Sequence, residues 1–168
     1  EHGTDSHVIL ISTSNRIISQ TLLEIKRQLR QLPRKKMAEQ TLKSSKAILV
    51  KNIGEAIEIS NEYAPEHLIL SVKNAVSVAA NIINAGSVFI GNYSPESAGD
   101  YASGTNHTLP TNGFAKSYSG VSLDSFVKKI TFQKLTKQGL INIASAISTM
   151  AESEGLIAHK NAVSIRIK

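Results

Sequence analysis

Glu66 and His67 stand side by side in the stretch NEYAPEHLIL, Asn61 to Leu70, just after a proline and at the head of an apolar run. An imidazole with an ordinary pKa of about 6.5 exchanges protons near neutrality, and a neighbouring carboxylate suits the activation of water. The pair is therefore either the polar turn before a strand or an acid–base device at the edge of a sheet. Four further histidines, His2, His7, His107 and His159, and the carboxylates Glu96 and Asp100 widen the choice. A mixed set of imidazole and carboxylate donors is one that zinc accepts. Taken singly, each histidine also reads as a surface or packed residue, and His2 and His7 lack the i, i+4 spacing of a helical zinc motif.

Something must bring these groups together, and the pattern of the chain says what. HVILIS is short, apolar and β-branched, which predicts a buried strand over residues 8–12. Ile18, Leu22, Ile25, Leu29 and Leu32 recur in steps of three and four, predicting an amphipathic helix over 14–32 that Pro33 ends. A second helix over 34–44 leads to the strand AILV, 47–50. Asn52 caps a third helix that Pro65 stops, HLILSV reads as a strand, NAVSVAANIINAG as a helix closed by Gly86, and SVFIG as another strand. Strands alternating with helices predict an α/β layer with mostly parallel strands, whose active sites gather at strand ends.

The rhythm stops over residues 91–120, which are rich in Gly, Ser, Asn and Pro and carry Glu96, Asp100 and His107. A loop of that length in a compact chain is usually functional or disordered, and its aromatic and ionisable groups favour function. The last third, from about Val121, breaks the α/β pattern and is expected to form a separate small unit. Within it SLDSF predicts a short helix, KKITFQKL an alternating strand, the stripe Leu140, Ala144, Ile147 and Ala151 a helix, and EGLIAHKNAVSIRIK a helical tail.

Composition sets the limits. With 168 residues, 41% apolar and 19% charged, the chain can bury a core. The absence of cysteine excludes disulfides and thiolate ligands or nucleophiles, and no apolar run approaches the roughly 18 residues of a spanning helix. The net charge of +6 raises the question of a nucleic-acid partner. In the densest basic run, KRQLRQLPRKK, the charges alternate with leucines as on a solvated helix face, and aromatic residues are 5%, few for base stacking. No glycine fingerprint or Walker pattern marks a nucleotide site. The chain opens without methionine and enters a core strand almost at once, the expected look of a piece of a longer chain.

Four runs, EHGTDSHVIL, NEYAPEHL, AGSVFIGNYSPESAGDYASGTNHTLPT and EGLIAHKNAVSIR, closely resemble the C-terminal part of the histidinol dehydrogenase family, and the resemblance covers essentially the whole chain. It implies a zinc-dependent, NAD-linked oxidation of L-histidinol through histidinaldehyde to L-histidine. It implies that His2, Asp100 and His159 hold one zinc per site, together with a glutamine upstream of Glu1. Glu66 and His67 match the family's acid–base pair. His2, His67, Asp100, His107, Glu154 and His159 match substrate-contacting positions, while His7 has no assigned role and is read as structural.

The resemblance further implies a cytoplasmic homodimer whose C-terminal tail crosses to the other subunit, with no membrane or nucleic-acid partner. Its fold plan makes residues 1–120 the C-terminal part of a Rossmann-like main domain, with an active-site loop at 91–120. Residues 121–168 become a small C-terminal α/β tail unit used in dimer exchange. The main NAD contacts and the other half of that domain would lie upstream, so the isolated chain is expected to be catalytically incomplete. The competing readings are a noncatalytic dimerisation module and, less favoured by the basic run, a nucleic-acid-binding domain.

Overall fold

A computed structural model describes residues 3–168. The chain divides into two compact units, Glu1–Phe126 and Val127–Lys168. The first holds four short strands, β1 (Ile9–Ser12), β2 (Lys46–Leu49), β3 (His67–Leu70) and β4 (Ser87–Ile90), and five helices. These are α1 (Asn15–Leu29), α2 (Lys35–Ser44), α3 (Ile53–Tyr63), α4 (Ala75–Ala79) and α5 (Glu96–Tyr101), with short 3₁₀ turns at Phe114–Lys116 and Leu123–Phe126. The strands form two separate parallel pairs: β1 with β2, matching Ile9 to Lys46, and β3 with β4, matching His67 to Ser87. The expected α/β alternation with parallel strands is thus present, as two ladders.

Local chemistry explains where the helices begin and end. Ser14 caps α1 by accepting from the Ile17 amide at 3.4 Å, and Asn52 caps α3 by accepting from the Glu55 amide at 2.9 Å. α1 stops at Leu29, three residues short of its expected end. Leu32 precedes Pro33 and is disfavoured in helical geometry, and the intervening turn tightens to Gln31 N–H donating to Gln28 O. Of the apolar stripe on α1, Ile18 is buried, Ile25 and Leu29 are half-buried, and Leu22 and Leu32 are exposed. Lys26, Arg27, Arg30, Arg34, Lys35 and Lys36 are all exposed, as a solvated face requires.

Two expectations fail for tertiary reasons. The helix predicted over 74–86 is confined to Ala75–Ala79, because the Asn61 side chain takes over the next segment. Asn61 Oδ1 accepts from the Ile83 amide at 2.9 Å, its Nδ2 donates to Asn81 O at 3.0 Å, and its backbone carbonyl accepts from Asn84 Nδ2 at 2.9 Å. The glycine that was to close that helix, Gly86, is needed for contact instead: a Cβ there would lie 2.5 Å from the Glu66 carbonyl oxygen.

The second unit consists of α6 (Lys137–Ser153) and α7 (Ile157–Ile167), packed on each other through a turn at Gly155, whose φ is 72°. Ala144 and Ala151 are its buried residues. The expected α/β character of the tail is corrected here: KKITFQKL is irregular backbone, with Ile130, Phe132 and Leu135 exposed. An alternating pattern becomes a strand only when another strand accepts its ladder, and none is present among the described residues of this unit. Among the described residues no helix is long and apolar enough to cross a membrane.

Candidate active site at the head of the third strand

The segment that delivers Glu66 and His67 is held on both sides. Ala64 ends α3 in the left-handed conformation, φ 53°, fully buried, with its amide donating to Ser60 O at 2.8 Å. A non-glycine residue in that region stores of order 1 kcal/mol or more, so packing must hold it there. Pro65 then turns the chain into β3. Pro65 O accepts from the Gly86 amide and Glu66 O from the Ser87 amide, both at 2.9 Å, clipping the acid–base segment to the start of β4. Immediately upstream, Tyr63 Oη meets His7 Nε2, and Glu62 pairs with Lys116 at 2.7 Å. His7 thus touches the last residue of α3.

From the other side comes α5, hidden inside what the sequence presents as a loop. Gly99 lets this helix lie directly on β4: a Cβ there would sit 2.7 Å from the Phe89 ring and 2.5 Å from Thr105 Oγ1. Glu96 and Asp100, one turn apart, share a face of the helix. The His67 ring lies beside Phe89, with ring centroids 5.9 Å apart. His67 Nδ1 is 4.0 Å from Glu66 Oε1, and Nε2 is 4.0 Å from Glu96 Oε1. One donor atom each from His67, Glu96 and Asp100 lie within 4.8 Å of one another.

The fourth member of the group is His107, whose Nδ1 stands 3.1 Å from Asp100 Oδ1. The Asp100 side chain is 6% exposed and that of His107 68%. Hydrogen bonding to His107, then to Glu96, holds the Asp100 carboxyl below the usual carboxylate range, and the bond to Asp100 raises the His107 imidazole above its ordinary value. His67 Nε2 is buried and has no hydrogen-bond partner among the described residues.

Of the residues singled out in the sequence, the structure gathers Glu66, His67, Asp100 and His107. His2 lies outside the described residues. Glu154, at the end of α6, and His159, in the first turn of α7, are exposed on the second unit. Glu96 was given no role from sequence; its only signal there was the i, i+4 spacing to Asp100 after Pro95, obscured by the surrounding glycines and serines. The imidazole and carboxylate donors fit the chemistry of a zinc site. The cluster seen here, His67, Glu96 and Asp100, shares only Asp100 with the ligand set that the resemblance implies. Two shallow grooves, of about 410 Å³ along α1 and about 570 Å³ around Pro33 to Met37, are lined by other residues.

Comparison with known proteins places this geometry in context. The family model described as histidinol dehydrogenase matches residues 1–167. The chain is 58% identical over 168 residues to histidinol dehydrogenase from Bacteroides fragilis, covering 100% of this chain and 39% of that protein. It is 52% identical over 167 residues to the enzyme of the same name from Haemophilus influenzae, covering 99% of this chain and again 39% of the relative. The crystal structure of histidinol dehydrogenase from Elizabethkingia anophelis superimposes with a TM-score of 0.91 at 60% identity, over 99% of this chain and 38% of that one. The chain thus spans about 39% of the length of these curated relatives.

Proposed function

The chain belongs to the histidinol dehydrogenase family, and from that premise we propose that it is the C-terminal portion of an enzyme oxidising L-histidinol to L-histidine, the end of histidine biosynthesis. The observation that carries this reading is the convergence of His67, Glu96 and Asp100 within 4.8 Å, with Glu66 beside His67. Such a group supplies an imidazole and carboxylates for proton transfer, and Asp100 is its member in common with the ligand set of the family.

On this reading His67 takes the hydroxyl proton as the carbinol carbon gives up the first hydride to NAD⁺. Glu66 takes a proton from the water that adds to the resulting aldehyde. His67 returns the first proton to the aldehyde oxygen as that water adds, and is then free to accept a diol proton as the second hydride leaves to a second NAD⁺, giving the carboxylic acid. His107 and Glu154 contact the substrate. His2, Asp100 and His159 would hold the zinc, together with an upstream glutamine; when bound, the metal would supply a Lewis acid and a fixed point for the substrate. NAD contacts fall to the part of the family's length that this chain does not span.

The reading includes a cytoplasmic homodimer in which Glu154 and His159 complete the site of the partner. Exposed Ile141, Met150, Leu156, Ile157 and Ile165 on the helical second unit support such an association. The test is direct. The full-length protein containing this chain should form two NADH per histidinol in a zinc-dependent reaction, and residues 1–168 alone should form almost none. Robust turnover by the isolated chain, or none by the full-length protein, would refute the proposal.

A further inference from the structure

Glu96 is the one member of the cluster to which the proposed reaction gives no work. Its carboxylate faces the buried Nε2 of His67 at 4.0 Å, while Glu66 faces Nδ1 at the same distance. An imidazole on a strand can rotate about its outer torsion and exchange its two nitrogens, and it can move its single neutral-state proton between them. A base that works twice on the same substrate carbon needs both freedoms restricted. Phe89 supports one side of the ring. A carboxyl group stands at each nitrogen, 4.0 Å away and beyond hydrogen-bond length, so both edges of the ring are flanked.

We infer that Glu96 is a positioning residue for His67, holding the imidazole from the Nε2 side against Glu66 on the Nδ1 side. Its own placement is firm. Pro95 precedes it in extended backbone, Gly99 seats α5 on Phe89, and the Glu96 carboxyl also lies against Asp100. For its effect on turnover the inference rests on the proposed reaction; for its effect on the ring it does not.

The experiment uses the full-length protein with Glu96→Ala and, as an isosteric variant that still folds around a polar group, Glu96→Gln. In both, kcat with histidinol should fall about 10- to 100-fold while KM stays within about threefold and the zinc content is unchanged, as expected when only the orientation of a reacting group is lost. Added formate should restore part of the turnover of Glu96→Ala by replacing the missing carboxylate. A kcat within about twofold of wild type, or a loss that follows loss of zinc, overturns the assignment. A second readout needs no substrate: in protein labelled with ¹⁵N-histidine, the tautomer balance of His67 should shift in Glu96→Ala. An unchanged His67 signal overturns the positioning role whatever the protein oxidises. Failure of the wild-type protein to oxidise histidinol would sink the proposed function alone.

Discussion

His107 Nδ1 lies 3.1 Å from Asp100 Oδ1, so an imidazole that is largely in solvent is anchored to a carboxylate that is almost wholly covered. In metal-free protein this pair should be visible in titration. His107 should titrate above its ordinary value of about 6.5 and Asp100 below about 3.9. The stabilisation from the raised histidine is present at low pH and is lost as pH rises through its folded pKa; that from the lowered aspartate is lost as pH falls through its own. The pair is therefore strongest between the two. NMR titration should return His107 to its ordinary range in Asp100→Asn, and an unchanged His107 midpoint would contradict the pairing.

Removing the proposed base should affect the chemical steps rather than binding. In the full-length protein, His67→Ala is expected to lower kcat by about 10²- to 10⁴-fold. Steady-state NADH formation measures this, and a variant with near-normal turnover would remove His67 from the mechanism.

Glu66 should act on the second oxidation alone. Glu66→Gln is expected to slow conversion of histidinaldehyde to histidine by about 100-fold or more while sparing the reduction of histidinaldehyde by NADH. Equal losses in both directions would argue against a role confined to water.

Gly86→Ala tests the clip that sets the acid–base segment. Its Cβ would meet the Glu66 carbonyl oxygen at 2.5 Å, a backbone atom with no rotamer through which to move aside. A loss of about 1–3 kcal/mol in urea denaturation is expected, with reduced turnover. A neutral substitution would mean that the Pro65–Gly86 contact is not held in solution.

Asn61→Ala should lower stability although the proposed mechanism gives Asn61 no role. It leaves the Ile83 amide and the Asn81 carbonyl to water, for a loss of about 0.5–1.5 kcal/mol. Denaturation midpoints and hydrogen exchange at Ile83 and Asn84 report it, and unaltered protection there would show the clamp to be idle.

The same residue explains what the sequence could and could not disclose. The cap at Asn52, the stop at Pro65 and the strand opening at His67 are written in residues that act on their immediate neighbours, and they are where local reading placed them. The shortening of α4 depends on Asn61, some twenty positions away, and no periodicity encodes such a reach. The KKITFQKL pattern failed for the converse reason, since alternation states what a strand would bury but does not supply its partner. At the site, Glu66 and His67 were legible as a pair. Glu96 was not, because a six-residue helix in a glycine-rich tract has too few turns to show a face.

The two parallel ladders have a kinetic consequence. Among the described residues each has two strands, so both outer edges offer unpaired backbone groups, and Leu49, Ile69 and Ile90 on them remain open to water. The pairing of His67 with Ser87 closes a shorter stretch of chain than that of Ile9 with Lys46, so the ladder bearing the acid–base pair should form first. Until it is covered, it is a template for any other extended chain it meets. The strand that carries His67 is thus also one with an open edge during synthesis, and co-expression with the rest of the family's length should raise soluble yield.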